Sequence, residues 1–327
     1  MARVVLHAGL HKTGTTALQS FLHGARDELR GRGLIYPQAG AFDWLGGGQH
    51  NIAWELAGDR RFEARFGTVD DVAREIADSG MDAILSAEDF ESVLHTPERL
   101  APLREHPALR DREFVLLFFV RDQVAYLESL YSEMLRHGVG ATLEEFAAPL
   151  FGTGRIAFHE WVFQFQYAAM HARLAAWGRM QVIARNYRGS VVGDFIDCVC
   201  PGVGMSEQAE RANPRDPLGE SLAHFFANRM GREASAEERA TIERVAAAIG
   251  TRPVALSNAF RARLHGRFAA SNQQLCRVAG IGAIEAEPAA ADAVALEALF
   301  DQRTVDAIVA GVSREDVGAG AKPRHDE

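Results

Sequence analysis

Residues 7–19 read "HAGLHKTGTTALQ", and they follow a short apolar run and precede a helical pattern. A strand, a glycine-containing turn and a helix start form an anion-binding arrangement, because the first N–H groups of a helix lack partners and carry the positive end of its dipole. The turn also contains Lys12, although all but two of the 35 Lys and Arg residues in the chain are arginine. We interpret Lys12 as a position that needs a compact ammonium with three rotatable donors rather than a planar guanidinium.

Composition limits the class of protein. Of the 327 residues, 47% are hydrophobic and 24% are charged, as in a globular protein with a sizeable core. The longest apolar run, Phe114 to Val120, is far below the ~20 residues of a membrane span, and the N-terminus lacks a signal-peptide pattern. A net charge of −9 argues against general nucleic-acid binding, and three cysteines are too few for a disulfide framework or a zinc site. We therefore expect a cytoplasmic protein with buried thiols, in which an anionic ligand needs a locally positive pocket.

Five short apolar runs are typical of buried parallel strands. They are Val4 to His7, Leu34 to Tyr36, Ala83 to Ser86, Phe114 to Val120 and Gln181 to Ala184. Helical patterns separate most of these runs, which predicts βαβ units and an α/β fold with a central parallel sheet flanked by helices. After about residue 189 the pattern becomes mainly helical. We expect one domain over residues 1–312 and a disordered tail over residues 313–327.

The turn after the first run differs from the loop that binds nucleoside triphosphates. Gly9 and Gly14 have the GxxxxG spacing of a Walker A loop, but Thr15 stands where that loop has its Lys. The order "KTGTT" instead resembles the phosphosulfate-binding loop of the sulfotransferases that use 3′-phosphoadenosine 5′-phosphosulfate (PAPS). This resemblance implies a three-layer, P-loop-like fold. It also implies a binding set for the 5′-phosphosulfate, which consists of Lys12, Thr13, Gly14, Thr15 and Thr16.

A second motif lies in "FVLLFFVRDQVAYLESLYSE", at the end of the fourth run. Arg121 ends that run, Ser129 follows eight residues later, and Tyr131 comes two residues after Ser129. The same spacing occurs in the 3′-phosphate motif of the sulfotransferase family, so the resemblance implies that Arg121 and Ser129 bind the 3′-phosphate. Gln123 departs from the family pattern, in which many members have Pro. Tyr187, near the end of the fifth run, is a candidate for a contact with adenine or, equally, an ordinary strand-end tyrosine.

Sulfuryl transfer to a hydroxyl or amine needs a base for the acceptor proton, and two residues are candidates. His50 lies in "GGGQHNIAWEL" and resembles a His common in bacterial members of the family, whereas Glu88 lies in "SAE", which resembles their Ser-x-Glu. Each has a structural alternative: His50 as a surface histidine near a helix start, and Glu88 as a carboxylate that stabilises a helix N-terminus. We place His50 slightly ahead, because the unperturbed pKa of a histidine, about 6.5, is nearer to working pH than that of a glutamate, about 4.3. Glu88 would then orient the acceptor or His50.

The resemblance predicts a PAPS-dependent sulfotransferase that needs no metal. In it Lys12 stabilises charge during transfer, and His50 or Glu88 acts as the base. A P-loop nucleotide kinase and a nucleotide-binding protein without catalytic activity are the alternatives. The acceptor stays open among carbohydrate, lipid, small metabolite and peptide, because acceptor pockets are built from variable loops.

Overall fold

The computed structural model describes residues 2–159, 161–187, 190–200, 217–284 and 288–311. The contacts within the chain divide it into two compact units, whereas the sequence analysis treated residues 1–312 as one domain. Unit 1 comprises Met1–Arg121, Arg155–Ala212 and Phe268–Ile284, and unit 2 comprises Asp122–Gly154, Asn213–Arg267 and Glu285–Glu327. The predicted tail, residues 313–327, lies outside the described residues. Within the described parts of the chain, no helix is both long enough and apolar enough to cross a membrane.

Unit 1 is built on a parallel sheet. The strands of unit 1 are β1 Arg3–Ala8, β2 Leu34–Ile35, β3 Asp82–Ala87, β4 Glu113–Val120, β5 Arg155–Phe158, β6 Trp161–Gln164 and β7 Gln181–Asn186. Five of them form the central sheet in the order β2-β3-β1-β4-β7, and every neighbouring pair is parallel. These five are the strands that the apolar runs predicted, with ends that differ by at most two residues. The antiparallel pair β5–β6 was not predicted.

Helices account for most of the remaining structure. They are α1 Thr15–Gly24, α2 Arg26–Gly31, α3 His50–Ala57, α4 Val69–Ser79, α5 Glu91–Leu94, α6 Ala101–Arg104, α7 Gln123–Arg136, α8 Leu143–Gly152, α9 Tyr167–Trp177, α10 Val191–Val199, α11 Leu218–Met230, α12 Ala236–Ile249, α13 Asn258–Ala279, α14 Leu296–Leu299 and α15 Gln302–Val309. The helical pattern that follows the loop is not one helix, because the structure breaks it at Ala25 into α1 and α2. The break follows Gly24, and glycine is a poor helix former because it loses the most conformational freedom.

Both faces of the sheet are apolar and covered by helices. Along β1, Val4, Leu6 and Ala8 belong to one buried cluster, and Val5 belongs to another. The first cluster includes side chains from α3, α4 and α9, and the second includes side chains from α1, α2 and α10. In a strand with one exposed face, apolar and polar residues alternate. Because these strands are buried on both faces, their sequences are continuous apolar runs instead.

The parallel register brings the loops after three strands to one edge of the sheet. Ala8, the last residue of β1, pairs with Ala87, the last residue of β3. β1 lies between β3 and β4, with β2 and β3 on one side of it and β4 and β7, which follow later in the chain, on the other. Open α/β sheets bind ligands at such a switch point, outside the carboxyl ends of the strands.

Unit 2 contains α7, α8, α11, α12, α14, α15 and the first part of α13. It also contains a parallel pair of two-residue strands, β8 Val254–Ala255 and β9 Val294–Ala295. In its core the Tyr131 ring packs against Phe146 and Phe300, and Phe225 packs against Phe300. After residue 190 the described elements are therefore helices and these two short strands.

The thiols are only partly as expected. Cys198, Cys200 and Cys276 are free, but only Cys200 is buried, and the other two are half-buried. The expectation of buried thiols is therefore wrong for Cys198 and Cys276. Cys198 Sγ accepts a hydrogen bond from Arg185 Nε, at 3.0 Å.

His7, near the end of β1, is fully buried. Its Nδ1 is hydrogen-bonded to Ser86 Oγ at 2.8 Å, and its ring packs edge-on against Phe119 and Phe195. Its Nε2 atom has no hydrogen-bond partner among the described residues. Burial lowers the pKa of His7 to about 3, so the folded protein keeps this side chain neutral.

A neutral, buried His7 makes stability depend on pH. Between about pH 6.5 and pH 3 the unfolded chain binds a proton at His7 and the folded chain does not, so stability falls as the pH falls. From pH 7.5 to pH 5.5 we expect the parent to lose about 1.4 kcal/mol more than His7→Asn, which keeps a partner for Ser86. Urea denaturation of both chains at both pH values measures this difference, and equal losses would contradict it.

Candidate functional site

The loop between β1 and α1 is folded by its own backbone. Gly9 N–H donates to the carbonyl of Ala87 at 3.2 Å, which ties the loop to the end of β3. The N–H and the Oγ1 of Thr13 both donate to the carbonyl of Leu10, at 3.3 and 2.6 Å. Lys12 has a left-handed φ of 65°. That conformation costs a non-glycine residue roughly 1–2 kcal/mol, so the surrounding contacts must enforce it.

Two glycines allow the loop to approach its neighbours closely. A Cβ atom on Gly9 would lie 2.2 Å from Thr15 Oγ1. A Cβ atom on Gly14 would lie 2.9 Å from Val191 and 3.2 Å from the Tyr187 ring, and Gly14 also has a φ of 77°. Neither position has room for a larger residue. Thr15 Oγ1 is itself buried without a hydrogen-bond partner in the described part of the chain.

Helix α1 starts directly behind this loop, without a side-chain cap. Gly14 is its N-cap and has no side chain with which to cap the helix, and the first turn has no acidic residue. The ten-residue helix therefore presents unsatisfied N–H groups and the positive end of its dipole to the loop. This is the local structure that anions bind.

Arg121 reaches the loop from the end of β4. Its Nη1 donates to the carbonyl of Lys12 at 3.0 Å, and its guanidinium lies 5.6 Å from the centre of the Tyr187 ring. The Tyr167 hydroxyl donates to the Arg121 carbonyl at 2.8 Å and fixes this part of the backbone. The structure thus brings together Arg121, Tyr187 and the loop at one edge of the sheet.

The other residues of the second motif belong to unit 2. Ser129 lies on α7, where it is half-buried. Tyr131 is fully buried, its hydroxyl donates to the carbonyl of Ala141, and burial raises its pKa. Within unit 1 the motif is therefore represented by Arg121, and Tyr131 has a core role in unit 2.

His50 is the first residue of α3 and is buried rather than on the surface. Its Nδ1 lies 2.6 Å from Asp89 Oδ2, and its Nε2 lies 3.3 Å from Gln19 Oε1 on α1. When Nδ1–H donates to the carboxylate, a neutral ring accepts at Nε2, which requires the Gln19 amide to turn its NH₂ group toward it. That turn also gives a partner to the Gln19 Nε2 atom, which is otherwise buried without one among the described residues.

The carboxylate that orients His50 was not predicted. Asp89 follows Glu88, and its second oxygen accepts a hydrogen bond from Arg61 Nη2 at 3.0 Å. Burial acts to raise the pKa of Asp89, but the hydrogen bond and charge of His50 and the charge of Arg61 outweigh it, so this pKa lies below its usual value. Asp89 therefore stays ionised, and it positions the ring of His50 in the way that a carboxylate orients a catalytic histidine.

Gln49 places His50 at the sheet edge. The backbone N–H of Gln49 donates to the carbonyl of Ser86 at 3.0 Å, and its side-chain oxygen accepts from the Ser86 N–H at 2.8 Å. Gly48 packs closely here as well, because a Cβ atom on it would lie 2.9 Å from His50 Nε2. The glycine-rich segment is thus anchored to β3.

Glu88 lies where the sequence predicted it, directly after β3. It begins a 3₁₀ turn, Glu88–Phe90, and is half-buried. The contacts of His50 nevertheless go to the next residue, Asp89, so Glu88 does not have the role of orienting that ring in this structure.

A second histidine–carboxylate pair lies beside Lys12. The backbone N–H of His11 donates to Glu91 Oε2 at 2.9 Å, and His11 Nδ1 lies 2.6 Å from the same oxygen. Glu91 is buried, and its other oxygen accepts from the Gln164 N–H at 3.4 Å. The sequence analysis named neither residue. Among the described residues no group of three or more His, Cys, Asp and Glu side chains is arranged to hold a metal ion.

Comparisons with known proteins add little to this geometry. No protein-family model and no curated protein matches the chain. Among solved structures, a chain from work on the PezAT chromosomal toxin-antitoxin system of Streptococcus pneumoniae is 11% identical, with 64% of this chain and 82% of that chain covered and a TM-score of 0.31. A similarity this weak supports no inference about fold or function.

The close packing of Gly14 gives a stability prediction. Gly14→Ala adds a methyl group against Val191 and Tyr187 at a positive φ, whereas the control Gly80→Ala has a similar φ of 66° and open space around it. Both variants carry the left-handed penalty of roughly 1–2 kcal/mol, and we expect Gly14→Ala to lose a further 1–3 kcal/mol, approximately, from overpacking. Urea unfolding measures both losses. Equal losses would show that the loop yields to the methyl group.

Proposed function

We propose that the chain is a sulfotransferase that uses PAPS and binds its 5′-phosphosulfate at the loop between β1 and α1. One observation carries the proposal. Lys12 and Arg121 lead two sequence motifs that are 109 residues apart, and the Arg121 side chain donates to the Lys12 carbonyl. Each motif alone is weak, but their meeting at the switch point of the sheet is what a shared nucleotide requires.

The residues around the loop fit such a nucleotide. The first-turn N–H groups of α1 and the unpartnered hydroxyl of Thr15 are donors suited to phosphate and sulfate oxygens. Lys12 supplies the charge of its ammonium, and Thr13 fixes the loop through its bonds to Leu10. Gly14 and the exposed Thr16 complete the proposed 5′-phosphosulfate set.

Arg121 is proposed to bind the 3′-phosphate. Its guanidinium is a bidentate donor to phosphate, and its position beside the Tyr187 ring leaves an aromatic face for the adenine. Ser129 is included on the sequence motif alone.

His50 is proposed as the base, with Asp89 as its positioning residue. When bound, the nucleotide supplies the sulfuryl group and leaves as adenosine 3′,5′-bisphosphate. His50 holds the acceptor proton at Nε2 while Asp89 keeps Nδ1–H in place. For this role an acceptor hydroxyl replaces Gln19 at Nε2, where the present contact of 3.3 Å is at the long end of hydrogen-bond distances.

Glu88 remains the alternative base. It lies after β3, at the same edge of the sheet as the loop, and its neighbour Asp89 is committed to His50 and Arg61. Asp89 is a poor base itself, because its lowered pKa disfavours taking up a proton.

Nucleotide selectivity tests the binding site. By calorimetry we expect adenosine 3′,5′-bisphosphate to bind far more tightly than ATP, without Mg²⁺. Arg121→Ala should weaken this binding by roughly 10- to 100-fold, because a charge-assisted hydrogen bond is lost. It should affect adenosine 5′-phosphate much less, and Arg110→Ala, an exposed arginine outside the site, serves as the control. Equal losses for adenosine 3′,5′-bisphosphate and adenosine 5′-phosphate would contradict a contact of Arg121 with the 3′-phosphate. A Mg²⁺-dependent preference for ATP would favour the kinase.

Turnover separates the two bases. His50→Ala should reduce acceptor-dependent release of adenosine 3′,5′-bisphosphate by about 10²–10⁴-fold, the usual contribution of a positioned base, while nucleotide affinity stays nearly constant. Glu88→Gln should keep some activity with a poorer acceptor KM. Initial rates and nucleotide affinity are measured for each variant. An active His50→Ala together with an inactive Glu88→Gln would reverse the two roles.

A further inference from the structure

A cavity of about 380 Å³ lies in unit 1 beside the loop between β1 and α1, which is the phosphate loop of the proposed function. Its wall includes His11, which precedes Lys12, and Asp89, which contacts His50. The cavity therefore lies next to Lys12, which stabilises charge in the proposed function, and next to His50, which removes the acceptor proton. Its volume is at the lower end of the range for small-molecule sites, about 300–1,000 Å³.

Each carboxylate of the cavity wall already has a hydrogen-bond partner. Asp59 accepts from Arg61 Nε at 3.0 Å and from Arg61 Nη2 at 2.7 Å, and these bonds lower its pKa. Asp89 lies between His50 and the same Arg61, and Glu91 accepts from His11. Each of these three carboxylates is therefore hydrogen-bonded, and Asp59 and Asp89 share one arginine.

Two further arginines of the wall have no such partner. Arg60 follows α3, and Arg99 lies in the 3₁₀ turn Pro97–Leu100, which packs against α3. Both side chains are exposed, and neither takes part in a hydrogen bond or an ion pair with its guanidinium in the described part of the chain. Their two guanidinium groups are therefore available to an anion, and with them the arginines of the wall equal its three carboxylates in number.

The wall is rich in side chains that form hydrogen bonds. Beyond Ala57, Trp161 and Val162, its side chains are mostly charged or polar. A lipid tail would have to desolvate these groups without replacing their hydrogen bonds, which is costly. A small polar molecule with hydroxyl groups can bond to them instead.

We propose that this cavity is the acceptor site, and that the acceptor is a small hydroxyl compound that also carries a carboxylate or phosphate group. Arg60 and Arg99 bind the anionic group, and a hydroxyl is directed toward the loop. The acceptor class rests on the proposed function, but binding of the anion at these two arginines does not.

The test is calorimetry on the full chain saturated with adenosine 3′,5′-bisphosphate, so that anions do not bind at the phosphate loop. The probes are D-glucuronate and D-glucose 6-phosphate, which separate carboxylate from phosphate, and uncharged D-glucose. We expect at least one anionic probe to bind tenfold or more tightly than glucose. Arg60→Gln and Arg99→Gln should each weaken that probe roughly 10- to 100-fold and leave glucose unchanged. Arg110→Gln, which removes one exposed positive charge elsewhere, should keep the preference.

Three results would overturn the proposal: equal affinity for glucose and both anionic probes, no binding of either anionic probe, or a preference that survives in both variants. Failure of the nucleotide to bind is a separate result, which counts against the proposed function. In that case the same titrations without nucleotide still decide whether Arg60 and Arg99 bind the anion.

Discussion

The covering of both sheet faces by helices is the constraint on which the rest of unit 1 depends. With α3, α4 and α9 on one face and α1, α2 and α10 on the other, few polar side chains lie in the middle of the strands. The buried pair His7 and Ser86 lies near the ends of β1 and β3. Polar side chains collect where the strands end. The parallel register then aligns the ends of β1 and β3. Residues that are distant in sequence are brought to one edge of the sheet by this pairing of the strands.

At that edge, charge is arranged in opposite ways on the two sides of the loop. Toward β4, the loop meets Arg121 and the dipole of α1, both positive. Toward β3, it meets the pairs His11–Glu91 and His50–Asp89, in which each carboxylate is bound to a histidine. The side toward β4 is suited to bind an anion, and the side toward β3 is suited to hold or move a proton. Group transfer between two substrates needs both of these functions.

The features that sequence reasoning found are local, and those that it missed are long-range. The apolar runs predicted all five strands of the sheet because burial on both faces leaves a continuous signal. The loop motif and Arg121 were found because each occupies a fixed position next to a strand end. Asp89 was missed because nothing in "SAEDFE" distinguishes it from Glu88, and only the fold brings it to His50, 39 residues away. The β5–β6 pair was missed because its strands have four residues each and include polar side chains.

The central position of β1 has a consequence for how the chain folds. β1 forms its hydrogen bonds with β3 and β4, about 80 and 110 residues further along, and with no strand that is nearer in sequence. Contacts of such long range slow folding, because the entropy of closing a large loop is lost before the contact forms. At a synthesis rate of roughly 5–20 residues per second, β1 waits several seconds or more for β4. During that time the apolar side chains of β1 lack one of their two neighbouring strands, and exposed apolar strands of this kind make a nascent chain prone to aggregation.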